Sequence, residues 1–249
     1  MASVDSALIE IERAVGSGSV IRDPSMLESY AQDESEVEPC MPEAVVRAST
    51  TADVSAVMKA AYANEVPVIP RGGGTGRVGG AVPVPGSIVL AFEKMNAVEG
   101  INKQELTTRV QPGLITGELK RITEEEGLYY PPDPNSWDSC AIGGNMAANA
   151  GGPRAFKYGV TREYVMGMDV VLADGTVLKL GRETKKGVTG YDLTALMVGS
   201  EGTLGIVTEG TLRLIPKPES TVTALACFSS LDEVAPVVSS LMAQGQLPA

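Results

Sequence analysis

Val66-Pro67-Val68-Ile69-Pro70-Arg71-Gly72-Gly73-Gly74-Thr75-Gly76 is a short apolar run that ends at Pro70 and breaks into four glycines in five residues. Val66 to Ile69 reads as a strand, and the loop after it has almost no side chains. Glycine reaches positive φ at little cost and carries no Cβ to hold a ligand away. Successive backbone N–H groups in such a turn converge on an anion, so the loop is a candidate diphosphate cradle. It is not the dinucleotide fingerprint of a βαβ unit, because Arg77-Val78-Gly79-Gly80-Ala81-Val82-Pro83 continues as loop where a helix would start. It is not a P-loop either, because the Lys-Ser/Thr pair is missing. A ligand-free flexible loop is the plain alternative, and the density of glycines straight after a strand argues against it.

Working outward, Ala44 to Ala48 reads as a strand. Thr51 reads as the cap of a helix with Val54, Val57, Met58 and Ala61 inward. With Val66 to Ile69 this makes a strand–helix–strand unit whose strands are expected to be parallel neighbours. Upstream, Asp5 is the expected cap of a helix to about Val15, and Asp23-Pro24 opens a second to about Ala31. Downstream, Ser87 to Ala91, Thr107 to Gln111, Val165 to Leu172, Thr176 to Leu180, Ile206 to Ile215 and Val222 to Phe228 read as strands. Ala173-Asp174-Gly175 is a hairpin turn. Helices are expected from Thr116 to Glu126, Ile142 to Ala150, Asp192 to Met197 and Leu231 to Ala243. The pattern is α+β with two lobes, and a ligand between lobes is the default expectation.

Composition narrows the functions. Lys plus Arg is 20 against 31 for Asp plus Glu, a net charge of −11. That balance disfavours nucleic acid and an anionic membrane surface, since neither charge-driven partner would be attracted. Histidine is absent, which removes the commonest general base and a common metal ligand; no metal site is expected. Cys40, Cys140 and Cys227 are too far apart for a CxxC pair, so neither a disulfide framework nor an iron–sulfur cluster is supported. The stretch Met1 to Ser17 lacks the basic and apolar regions of a signal peptide, and a cytoplasmic location is expected.

Two later stretches repeat the glycine theme. In Asp138-Ser139-Cys140-Ala141-Ile142-Gly143-Gly144-Asn145-Met146-Ala147-Ala148-Asn149-Ala150-Gly151-Gly152, two Gly-Gly pairs bracket a helix-like run. Ser139 and the N–H groups near Ile142 are candidate phosphate ligands; close helix packing is the alternative. Gly199-Ser200-Glu201-Gly202-Thr203-Leu204-Gly205-Ile206 again sets glycines before a strand, which alone reads as an ordinary turn.

Together with Lys157-Tyr158-Gly159, these stretches resemble the FAD-linked oxidases of the vanillyl-alcohol-oxidase type. The resemblance is greatest to the branch of glycolate oxidase catalytic subunits and D-lactate or D-2-hydroxyacid dehydrogenases, and it runs from about Pro42 to Pro218. It implies a two-lobed PCMH-type FAD-binding fold over residues 1–220, with lobes of about 1–98 and 99–220. Residues 221–249 would then hold the first strand and helix of a ferredoxin-like cap domain, with the catalytic base in a later half that these 249 residues do not include.

Position by position, the resemblance implies that Pro70, Arg71, Gly72, Gly73, Gly74, Thr75 and Gly76 wrap the FAD diphosphate. Pro131 and Asp133 would lie near the flavin. Ser139, Ile142, Gly143, Gly144 and Asn145 would contact the diphosphate and ribityl region. Asn149 and Gly151 would face the isoalloxazine, and Glu201, Gly202 and Ile206 the adenine. FAD would be held non-covalently, because the histidine that tethers it in some relatives is absent; a link through Cys140 is the weaker alternative. Gly73→Val would fill the diphosphate space and abolish flavin retention.

Other residues carry competing readings. Tyr129 and Tyr130 read as core ahead of flavin wall, Trp137 as cover for the cleft, and Arg182, Lys185 and Lys186 as a solvated face. Arg154, Lys157 and Tyr191 are candidates to face a carboxylate substrate. The implied function is hydride transfer from a small 2-hydroxy acid such as glycolate or D-lactate to flavin. Electrons would then pass to an iron–sulfur subunit, an electron-transfer flavoprotein, a quinone or a cytochrome. A partner would hold the protein peripherally at the inner membrane face, and self-association stays open. The competing reading is a flavin-binding electron-transfer module without substrate chemistry. A cell-wall enolpyruvyl reductase is weaker still, since it would need NADPH and different motifs around the second glycine cluster.

Overall fold

A computed structural model describes residues 3–184, 186–245 and 247–248. The first lobe runs α1 (Val4–Val15), β1 (Val20–Ile21), α2 (Pro24–Leu27), β2 (Ala44–Arg47), α3 (Thr51–Ala63), β3 (Val68–Arg71) and β4 (Ile88–Ala91). Ser3, not Asp5, caps α1, its hydroxyl accepting from the Ser6 N–H. Asp5 sits in the first turn, where the helix dipole favours an acid. Asp23 caps α2, which gives way to a 3₁₀ turn at Glu28–Tyr30. A capping box starts α3 one residue earlier than expected: the Thr50 hydroxyl accepts from the Asp53 N–H, and the Asp53 carboxylate accepts from the Thr50 N–H. Helices α1 and α3 pack together, and Leu8, Ile11, Val54 and Val57 join Ile88 and Leu90 in one core.

The strand order is β1-β2-β4-β3. β2 and β3 are parallel, but each pairs with β4 and not with the other. β4 is apolar and buried at every position, so it takes the centre of the sheet, where both faces are covered. Its insertion corrects the expectation that β2 and β3 are neighbours.

The second lobe contains β5 (Val98–Asn102), β6 (Thr107–Val110), α4 (Thr116–Glu125), β7 (Leu128–Tyr129), α5 (Ile142–Ala148), α6 (Ala155–Tyr158), β8 (Val165–Val171), β9 (Val177–Gly181), α7 (Leu193–Met197), β10 (Ile206–Arg213) and β11 (Ile215–Pro216). Its main sheet is antiparallel, in the order β5-β6-β10-β8-β9. The expected hairpin joins β8 to β9, with Gly175 at φ +81 and the Asp174 carboxylate accepting from the Thr176 N–H. Sequence reading missed β5, because Val-Glu-Gly-Ile-Asn breaks the alternation and the pairing shifts register between Val98 and Gly100. Arg109 on β6 ties the sheet together, pairing with Glu99 at 3.1 Å, Asp169 at 3.2 Å and Glu209.

Helix α8 (Val234–Ala243) follows a 3₁₀ turn at Leu231–Glu233. The strand expected at Val222 to Phe228 does not form among the described residues. Val222 is 87% exposed and Leu225 92%; a strand needs a neighbour to take its backbone groups, and no described strand pairs with this segment. Lys185, Gln246 and Ala249 lie outside the described residues.

Candidate functional site

A cleft of about 410 Å³ opens at the carboxyl ends of β3 and β4, the place where α/β sheets commonly bind ligands. One wall is the glycine loop, Pro70 to Gly76, continuing through Arg77 and Val78. The opposite wall is the segment around α5, with Cys140, Gly143, Gly144 and Asn145. Ser200, Glu201, Gly202 and Ile206 close one end.

The loop wall is bare backbone. Among the described residues, the N–H groups from Gly72 to Val78 donate to no protein acceptor. A run of unpaired donors lining a cleft is the arrangement that anions satisfy. Arg71 serves the loop from behind. Its guanidinium donates to the carbonyls of Gln32 at 2.7 Å, Ser29 at 3.3 Å and Ala81 at 3.4 Å. It also stacks over Tyr30 at 5.7 Å. Burial lowers the Arg71 pKa, and the neighbouring Asp33 carboxylate opposes that fall. Asp33 in turn accepts from the N–H groups of Ser35 and Ala81, so an acidic turn is clamped onto the loop.

The glycines divide by what replaces their missing Cβ. At Gly73 a Cβ would lie 2.4 Å from the Ser139 carbonyl oxygen, and at Gly72 it would lie 3.1 Å from the Ala141 Cβ. These two glycines let the walls approach each other. The expectation that Gly73→Val acts by filling ligand space is therefore corrected: the new side chain meets protein backbone first. Gly143 is held likewise, its virtual Cβ 2.6 Å from Pro112. Gly144 differs, because a Cβ there meets nothing within 4 Å and Gly144 lines the cleft.

The α5 wall keeps its leading N–H groups to itself. Ile142 donates to Leu114 O at 2.8 Å and Gly143 to Pro112 O at 2.7 Å. They are not free for phosphate, contrary to the reading of that segment as an anion-binding helix start. Gly144 N–H, next in line, donates to no protein acceptor among the described residues, and beside it this wall offers side chains. Asn145 donates from Nδ2 to Thr116 Oγ1 at 2.6 Å, and Thr116 Oγ1 lies 3.3 Å from both the carbonyl oxygen and the Sγ of Cys140. Cys140 is thus a buried thiol on the cleft wall beside Thr116.

The third glycine segment is fastened to α5. Gly199 donates to Met146 O at 3.0 Å and Glu201 to Ala147 O at 2.9 Å. Glu201 and Gly202 adopt φ of +53 and +77, which turns the chain sharply ahead of β10.

Six expected site residues do not line the cleft. Ile142 is core. Ser139 is exposed and hydrogen-bonds within its own turn. Asn149, at φ +50, ends α5 and accepts from the Arg162 N–H. Gly151 packs on Val160. Asp133 is engaged by Arg154, from its N–H at 3.3 Å and its guanidinium at 3.4 Å, and Pro131 is buried. Arg154 also donates to the Tyr129 hydroxyl, and Lys157 sits over the Tyr158 ring. Tyr129 and Tyr130 are buried, and Tyr191 is 95% exposed. Trp137 packs against Gly117 and does not cover the cleft. Arg182 and Lys186 are exposed. The residues that sequence reading missed, including Asp33, Ala81, Phe92, Pro112, Asn135 and Met197, come from separate elements. Gly80, beside the loop, and Gly205, in the third glycine stretch, carried a local signal.

The walls suit a long, diphosphate-bearing cofactor: unpaired N–H groups on one side, and on the other a glycine whose Cβ would intrude. Residues 42–181 match the family model described as an FAD binding domain, over half of the chain, and the chain belongs to that family. It is 46% identical over 220 residues to the glycolate oxidase subunit GlcD of Bacillus subtilis (strain 168), covering 88% of this chain and 47% of that protein. It is 40% identical over 231 residues to a D-lactate dehydrogenase of Anaerostipes hadrus, covering 92% and 48%. It also resembles the solved structure of p-cresol methylhydroxylase with substrate bound, with a TM-score of 0.80 and 23% identity over 95% of this chain and 48% of that one. That likeness shows a shared PCMH-type fold. The chain spans about half the length of the curated relatives it matches. No helix among the described residues is long and apolar enough to cross a membrane.

Proposed function

We propose that this chain is the FAD-binding part of an enzyme that oxidises a small 2-hydroxy acid, such as glycolate or D-lactate, to the 2-oxo acid. The observation that carries the reading is the 46% identity to a glycolate oxidase subunit, in a chain whose cleft has unpaired N–H groups on one wall. In this reading Gly72 to Gly76 hold the diphosphate through backbone N–H groups, and Arg71 keeps the loop in shape. Gly144 leaves room for the cofactor, and Glu201, Gly202 and Ile206 bound its adenine end. FAD, when bound, would supply the hydride-accepting redox chemistry.

The substrate base and carboxylate anchor belong to a second domain, for which residues 221–249 supply the beginning. The relatives' greater length supports this division near residue 220, as does the absence of any buried residue in α8. A relative named as a subunit supports a partner that takes the electrons onward. The free thiols of Cys40, Cys140 and Cys227 suit a reducing cytoplasm, with any membrane contact made through the partner.

The test is anaerobic mixing of the flavin-loaded full-length protein with glycolate, D-lactate or D-2-hydroxyglutarate. Loss of the visible flavin absorption with one of them supports the reading, and an unchanged spectrum with all three rejects it. The second reading, a flavin-binding electron-transfer module, is favoured by one observation. The carboxylates on the cleft are Asp33, Glu34 and Glu201, and Asp33 is already committed to Ser35 and Ala81. No histidine exists in the chain to act as base. An unchanged spectrum with hydroxy acids, together with reduction by a chemical donor and reoxidation by a quinone, would establish it.

A further inference from the structure

A cluster of cations and rings lies outside the cleft. Tyr129 and Tyr158 meet edge to face, with ring centroids 6.0 Å apart. Lys120 Nζ lies over the Tyr129 ring at 5.5 Å, and Lys157 Nζ over the Tyr158 ring at 5.2 Å. Arg154 donates to the Tyr129 hydroxyl, and its Nε lies 3.4 Å from Asp133 Oδ2. The other carboxylate in reach of Lys120, Glu124, is held by Lys217 at 2.9 Å. Three cations therefore gather on two rings with Asp133 as their carboxylate, in a chain of net charge −11. None of these residues lines the cleft.

The donors of this cluster exceed its acceptors. Lys120 is half-buried, and among the described residues its ammonium donates to no acceptor. Tyr129 is buried; its hydroxyl accepts from Arg154, and its own proton meets no acceptor among the described residues. Burial raises the Tyr129 pKa, so that proton is kept. A partly desolvated cation is costly unless an anion meets it. A singly charged carboxylate costs less to desolvate than a phosphate dianion, and its two oxygens match the two open donors. We propose that Lys120, Tyr129 and Arg154 form a second anion site, outside the FAD cleft, that binds a small monocarboxylate. The Lys120 ammonium and the Tyr129 hydroxyl donate to its oxygens, Arg154 holds the hydroxyl in place, and Lys157 adds to the positive potential. The site stands whichever hydroxy acid the protein oxidises.

Acetate is the probe, because it has no hydroxyl for a flavin to oxidise. It is titrated into the flavin-loaded full-length protein, whose diphosphate loop is then filled, at constant ionic strength. Binding is followed by the NMR relaxation of the acetate methyl group. Saturable binding is expected near neutral pH, weakened about tenfold in Lys120→Met and about threefold in Tyr129→Phe. The pH profile separates a bound lysine from a merely structural one. Desolvation brings the Lys120 pKa down from 10.5 to about 8; Asp133, Glu124 and Cys140 oppose the fall and Arg154 adds to it. Acetate affinity should therefore drop about tenfold between about pH 7 and 9.5, as the ammonium loses its proton. Lys120→Arg stays charged over that range and should bind acetate without the drop, which carries the test if Lys120→Met does not fold. Equal affinity in the parent and Lys120→Met would overturn the proposal, as would binding to the parent that does not saturate. The same drop with pH in Lys120→Arg would also overturn it. Inorganic phosphate that binds more tightly than acetate, and loses that binding in Lys120→Met, would overturn the choice of a carboxylate.

Discussion

The two walls of the cleft do opposite things with the same residue type. The loop wall, Gly72 to Val78, leaves its backbone N–H groups unpaired, and Arg71 just ahead of it turns backward to hold three carbonyls. The α5 wall pairs its first two N–H groups with Leu114 and Pro112, leaves only that of Gly144 without a protein acceptor, and adds side chains. Glycine on the first wall permits the walls to meet, as Gly73 does against Ser139. Glycine at 144 on the second wall keeps the cleft open. A glycine-rich motif therefore does not by itself say which glycine touches a ligand; the direction of the missing Cβ decides it.

The largest effect is expected where that direction points into the cleft. Gly144→Val should leave the fold intact and weaken FAD about 100-fold or more, near 2.7 kcal/mol. It would give a colourless protein with a near-normal melting temperature when compared with FAD removed. Gly73→Val should do the reverse in kind. Its side chain meets the Ser139 carbonyl, so stability falls by about 3 kcal/mol, read as a lower midpoint in urea with FAD removed. If Gly73→Val were as stable as the parent while losing flavin, the contrast between the walls would collapse.

Arg71→Met tests the loop wall from behind. Removing the shared donor leaves the carbonyls of Ser29, Gln32 and Ala81 short of a partner and Asp33 without its cation. A loss of about 2 kcal/mol is expected, together with faster hydrogen exchange over residues 72–81.

The smallest effect belongs to the α5 side. Lys120, on α4 with Thr116, is half-buried over Tyr129. Desolvation brings its pKa down from 10.5 to about 8, with Asp133 opposing the fall and Arg154 adding to it. Below about pH 8 the lysine is charged in both folded and unfolded chains, and the penalty is constant. Between about pH 8 and 10.5 the unfolded chain binds more protons, so stability rises with pH. A gain of about 1 kcal/mol is expected after allowance for partial solvent access. Denaturation at pH 7.5 and 10.5 should show this rise in the parent and lose it in Lys120→Met.

Much of this was legible in the chain. The strand before Arg71, the helix after Thr50, the Ala173-Asp174-Gly175 hairpin and the three glycine stretches are local signals, each contained in about ten residues. What escaped was non-local. β5 has too irregular a pattern to stand out and exists because β6 lies beside it. β4 displaces the expected pairing of β2 with β3 because it is the most apolar strand. Val222 to Phe228 has a strand's composition but pairs with no strand among the described residues. In the cleft, Asp33 and Pro112 arrive from segments with no motif of their own.

The sequence by itself determined the family and the cofactor class, because glycine density and order are covalent facts. Only the tertiary structure decided which N–H groups remain free, which Cβ positions face the cleft and that Asn145 and Thr116 pair beside it. Those depend on partners such as Leu114, Pro112, Ser139 and Thr116, which chain folding brings to the site from elsewhere in the sequence or, for Ser139, from across the cleft.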